Sequence, residues 1–199
     1  MKKILAALAV GFVLAGCVSP KSFIDPNFPK LTYEEVQKRP SPLKLSLTTQ
    51  FQRNGEPFPR ADPTLKDNTE RILRASGVVS PVSEGSEGEI RIVVNNIADT
   101  GSAAAKGFGT GLTFGLVGTT VTDAYEMSVT ITVGTKSFTR TAVKHAFHTA
   151  IGNTSTPPGL ETVPPNVAFG RVLEQMLLRV LKEYQTTPEL SSIFPPTEA

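Results

Sequence analysis

Cysteine is almost missing from this chain: its 199 residues hold one, Cys17. A lone cysteine excludes an intramolecular disulfide, so the fold must be held by its core. Histidine is nearly as scarce. His145 and His148 are the only two. They lie three apart in a strand-like run, which points them to opposite faces and prevents them from sharing a metal ion. No His-Glu-x-x-His helix offers another route to a metal. Both read as surface histidines of a strand, and no metal site or other cofactor is expected. The Gly-x-Ser-x-Gly nucleophile elbow is also absent, since Gly85-Ser86-Glu87-Gly88 has the wrong spacing and an acidic setting. Asp123 and Glu126 are again three apart, diverge on a strand, and flank it rather than form an acid–base pair. No catalytic set emerges, and the chain does not read as an enzyme.

Charge is missing from the middle of the chain. Between Asp99 and Asp123 the only charged residue is Lys106. Residues 103–120, AAAKGFGTGLTFGLVGTT, carry a small residue at every fourth place: Ala103, Gly107, Gly111 and Gly115. The dinucleotide fingerprint fails here because Leu112 stands where the third glycine belongs. No Gly-Lys-Ser/Thr follows for a phosphate loop either, so the stretch does not read as a phosphate-binding loop. Two periods fit the stretch. As a helix, the small residues form one smooth groove that admits another backbone; in that form it is similar to the glycine-zipper segments of several envelope proteins. As a strand, Gly107, Gly111 and Gly115 share one side, with Phe108, Leu112, Phe114 and Leu116 on the other. Each interior glycine costs a helix roughly 1 kcal/mol relative to alanine, so something must pack on this segment. The occupant is the protein's own core, another protein (a second copy included), or a membrane, as in curli-type secretion pores. These seven residues are the candidate packing surface.

Around that stretch the pattern is legible. Residues 18–42 contain Pro20, Pro26, Pro29, Pro40 and Pro42 and read as a tether. As extended polyproline II, at ~3.1 Å per residue, it would reach about 75 Å. Leu43, Leu45, Leu47 and Phe51 alternate with polar residues as in a half-buried strand. Asn54-Gly55 then makes a turn. Asp62 suits an N-cap, Pro63 a first helical position and Gly77 a C-terminal stop, which predicts a helix with Leu65, Thr69, Ile72 and Leu73 on one face. Short strands are expected over residues 78–82 and from Ile90 to Val94. Tyr125, Met127, Val129, Ile131 and Val133 mark another, and Gly134-Thr135 closes a hairpin onto residues 136–149. A final helix follows from Phe169, Val172, Leu173, Met176, Leu177, Val180, Leu181 and Tyr184. The expectation is an α+β domain over residues 43–184. It has a mostly antiparallel sheet of four to five strands, with two helices packed on one face. A loose tail, residues 185–199, completes the chain.

The first residues resemble the signal of bacterial lipoproteins. Lys2 and Lys3 precede an apolar run, residues 4–14, that is too short to span a bilayer. Leu14-Ala15-Gly16-Cys17 then matches the lipobox. The resemblance implies removal of residues 1–16 as a signal peptide and acylation of Cys17 as the new N-terminus, and two or more acyl chains anchor stably. Val18, in place of the aspartate that retains lipoproteins at the inner membrane, implies the outer membrane, facing the periplasm. Without Lys2 and Lys3 the chain has 18 basic and 18 acidic side chains. That balance argues against nucleic acid and against electrostatic docking to anionic lipid. The sequence thus reads as an outer-membrane-anchored lipoprotein with a non-catalytic binding or assembly role in the envelope. Its partners would be the membrane, through its anchor, and an envelope protein or a second copy. A lipid or small-ligand carrier, or a membrane-inserting oligomer built on residues 103–120, are the alternatives. The middle also resembles that of proteobacterial lipoproteins with no assigned activity, which implies nothing about mechanism.

Overall fold

The computed structural model describes residues 20–97, 119–152 and 154–187. Seven strands form one sheet: β1 (Lys21–Ile24), β2 (Leu43–Arg53), β3 (Glu56–Pro57), β4 (Val79–Pro81), β5 (Gly88–Ile97), β6 (Thr119–Val133) and β7 (Lys136–Ile151). The spatial order is β1-β7-β6-β5-β2-β3, with β4 also paired to β2. Two helices, α1 (Asp62–Ser76) and α2 (Pro165–Thr186), complete the domain.

The sheet is mixed, which corrects the expectation of four to five mostly antiparallel strands. β2 runs parallel to both β4 and β5. The cause is α1: a helix between β2 and β4 carries the chain back to the starting end, and only a crossover of that length permits parallel neighbours. Reading the links as hairpins hid this. β5, β6 and β7 form the antiparallel meander that alternation alone indicates. A bulge interrupts the last pair opposite Met127 and Val129, with Ala142 at φ 55°.

Asp62 does not cap α1. It is the first helical residue, and its Oδ1 accepts the Phe51 amide at 2.6 Å, tying the helix start to β2. Gly77 ends α1 in the left-handed region, at φ 68°. Both helices cover one face of the sheet and touch each other. Leu65, Ile72 and Leu73 from α1 and Leu173, Met176 and Leu177 from α2 lie buried with Leu45, Ile90, Ile92, Met127 and Ile131. The opposite face of the central strands carries the threonines, glutamines and charges of the alternation.

Residues 20–42, read as a tether, hold structure. β1 pairs antiparallel with the far end of β7, Phe23 opposite His148. A 3-10 turn, Tyr33–Glu35, follows. From Leu31 to Gln37 the chain runs along α2 as a strap. The Leu31 amide donates to Gln175 Oε1 at 2.6 Å, Gln175 Nε2 donates to the Leu31 carbonyl at 3.0 Å, and the Gln37 amide donates to Gln185 Oε1 at 3.0 Å. Prolines exclude ladder positions in a central strand but leave a short edge strand open.

Candidate functional site

Where β1 ends, the chain turns over the sheet before joining α2, and a cleft of about 560 Å³ opens between this turn, residues 160–161 and α2. Its apolar wall comes from Ile24, Phe28 and Leu160; its polar groups are His145, Arg171 and Gln175, with Asp25, Lys30, Glu161 and Glu174 around them. The volume lies within the range typical of small-ligand sites.

His145 reaches the cleft from β7 and is 2 % exposed, not the surface residue that the alternation predicts. Phe28 stacks on its ring, centroids 4.5 Å apart and planes at 21°. Its Nδ1 lies 2.9 Å from the Ala146 amide nitrogen and 3.1 Å from the Ala146 carbonyl oxygen. Burial pushes the imidazole pKa below its ordinary 6.5. The Ala146 carbonyl and Asp25 oppose that shift, and the Arg179 charge adds to it. The ring is therefore neutral at neutral pH.

On α2, successive turns place Arg171 and Gln175 on one flank and Glu174 beside them. Arg171 Nη2 donates to Glu161 Oε1 at 2.7 Å, which lowers the Glu161 pKa and raises that of the arginine. The Tyr33 hydroxyl donates to Glu174 Oε2 at 2.9 Å; burial first, then that bond, pushes the phenol up to about 12. Most of these polar groups are thus already committed to holding the cleft's own walls.

His148 faces the other side of the sheet, as the spacing requires. Its Nε2 is 3.4 Å from Asp25 Oδ2, and its Nδ1 is 2.9 Å from Thr122 Oγ1. Asp123 and Glu126 also part. Asp123 is half-buried beside Asn96, and burial raises its carboxyl pKa; Glu126 pairs with Lys144 at 3.8 Å on the opposite face. Among the described residues no three histidine, cysteine or carboxylate side chains gather as a metal set. No helix there is long and apolar enough to cross a membrane. Cys17 and the packing candidates Gly107, Gly111, Gly115, Phe108, Leu112, Phe114 and Leu116 lie outside the described residues.

Phe28, Leu31 and Gln175 were not legible as site residues. Phe28 and Leu31 sit in the proline-rich segment, and Gln175 holds a polar position of an amphipathic helix. The one signal is the set of large apolar side chains in that segment, Phe23, Ile24, Phe28, Leu31 and Val36, which a solvated tether does not need.

No family model matches the chain, and no curated protein matches it. Among solved structures it is similar to a Helicobacter pylori protein named as a neuraminyllactose-binding hemagglutinin homolog. The identity is 10 %, the overlap covers 86 % of this chain and 96 % of that one, and the TM-score is 0.36. It is also similar to a Xanthomonas campestris protein of the DUF330 family, at 15 % identity, 78 % and 89 % coverage and a TM-score of 0.28. Similarities at these scores assign neither a family nor a ligand.

Proposed function

We propose that this chain is a lipid-anchored protein of the bacterial outer membrane whose periplasmic domain binds a ligand, without catalysis, in the cleft between the β1 turn and α2. The cleft carries this reading: about 560 Å³, apolar on Ile24, Phe28 and Leu160, with side chains of both signs around it. Gln175, Glu174 and Arg171 are engaged by Leu31, Tyr33 and Glu161, which favours recognition over turnover. The anchor rests on Cys17 and the lipobox resemblance.

Two measurements test the two halves. Membranes of cells expressing the wild-type chain should retain it, whereas Cys17→Ala should release it or stall its export; retention of unacylated protein overturns the anchor. The chain has no tryptophan, so Leu160→Trp introduces a sole indole at the cleft. Saturable energy transfer from that indole to one equivalent of anilinonaphthalene sulfonate supports the cleft, and absence of saturable transfer overturns it.

A further inference from the structure

Most polar groups that line the cleft answer to the chain itself. Gln175 gives both ends of its amide to Leu31. Glu174 accepts from Tyr33, and Arg171 donates to Glu161. Asp25 Oδ1 accepts from the amide and the side chain of Asn27, at 2.9 and 2.8 Å, and its Oδ2 lies 3.4 Å from His148 Nε2. Lys30 is exposed to solvent. His145 differs. Its Nδ1 is turned to the backbone, where the Ala146 amide donates to it at 2.9 Å. The Ala146 carbonyl, the other group near Nδ1, already accepts the Asp25 amide at 3.1 Å. An imidazole nitrogen that accepts carries no proton, so the neutral ring holds its proton on Nε2, the corner away from the strand. That N–H belongs to a side chain only 2 % exposed, and it has no partner among the described residues.

We infer that the ligand of this cleft is an apolar molecule carrying one acceptor oxygen, which lies against Ile24, Phe28 and Leu160 and accepts a hydrogen bond from His145 Nε2. This rests on the cleft reading above and names the chemistry of what it takes. A buried N–H with no acceptor costs free energy, and an oxygen that reaches it recovers the loss. Small-ligand sites are built in this proportion, mostly apolar with a few polar groups that fix orientation. A ligand rich in hydroxyls would need the groups of Arg171, Glu174 and Gln175, and taking them would release Glu161, Tyr33 and Leu31 from the cleft's own walls. One donor and an apolar wall are what the cleft can offer without that loss. Phe28 covers a face of the imidazole, so the oxygen meets the ring at its edge, where the Nε2 proton points.

Two probes of one shape isolate that bond: 2-acetylnaphthalene, which presents a carbonyl oxygen, and 2-isopropenylnaphthalene, which has a methylene in its place. Each is titrated into the full chain and into its His145→Phe variant. The preference for the ketone over the alkene should be about tenfold greater in the wild type, because only the wild type offers the donor. In the ¹⁵N-labelled wild type the ketone should move the His145 Nε2 resonance more than that of Nδ1, a reading that needs no variant to fold. Equal preferences in the two proteins, no binding of the ketone, or an unmoved Nε2 resonance overturn the inference. If anilinonaphthalene sulfonate saturates the Leu160→Trp variant while any of those results is obtained, the cleft stands as a binding site and the acceptor bond does not. If neither the dye nor either naphthalene binds, both readings fall.

Discussion

Gln175 grips Leu31 by both of its backbone groups, accepting from its amide at 2.6 Å and donating to its carbonyl at 3.0 Å. This pair stitches the strap to α2 beside the cleft, and Gln185 repeats the exchange further along, accepting from the Gln37 amide and donating to its carbonyl. Gln175→Ala should leave two half-buried backbone groups of Leu31 without their partner, at a cost of about 1–3 kcal/mol in unfolding free energy. Amide exchange from Leu31 to Gln37 should accelerate while that of β5 and β6 does not change. Unaltered strap protection in the variant would show that the bonds of Tyr33, Glu35 and Gln37 to α2 suffice to hold it.

The acid limb of the stability curve should carry the imprint of His145. Its folded pKa lies below the ordinary 6.5 because the ring is buried. The unfolded chain therefore binds a proton that the folded chain refuses, and stability falls as pH drops below about 6.5 until the folded pKa is passed. Asp123 acts with the opposite sign. Its folded pKa is raised by burial, so its contribution improves as pH falls through that value. Urea midpoints between pH 7.5 and 5 should decline in the wild type and decline less in His145→Phe. Parallel slopes for the two proteins would assign the acid sensitivity elsewhere.

Gly88, at the start of β5, admits no side chain. A Cβ there would stand 2.0 Å from the Thr132 carbonyl oxygen and 3.0 Å from its carbon, both backbone atoms of β6. Gly88→Ala should therefore force β5 and β6 apart and cost about 1–3 kcal/mol, read as a lowered urea midpoint. Gly85→Ala, in the loop just before, has open space around its Cβ and only its φ of 66° to strain, so it should cost less than Gly88→Ala.

The contrast between these residues shows what a single chain discloses. Ile90, Ile92 and Val94, and Tyr125 to Val133, announce strands because burial on one face imposes a period of two, a local property. α2 announces itself likewise through its apolar stripe, and Gly77 through its need for positive φ. Which strand pairs with which is not local. Leu47 lies opposite Ile90 in parallel, yet nothing in either strand's alternation specifies direction. β1 escaped notice because four residues between prolines show no period, and its place depends on Thr149 and Val163. His145 read as exposed for the same reason: Phe28 covers it, and Phe28 reaches it only after the chain has folded.

Phe28 can be removed to test that dependence. Its ring covers one face of the His145 imidazole, and burial is the largest cause of the imidazole's lowered pKa. Phe28→Ala should admit water to the ring and move its titration upward, toward 6.5. The His145 imidazole signal, followed by NMR across pH 5 to 8, gives the answer in one experiment. An upward shift ties the cleft's neutral floor to the β1 turn, so any ligand that displaces Phe28 would also change the charge state of His145. No shift would mean that α2 and the sheet bury the ring on their own, and the turn would then act on the ligand through shape alone.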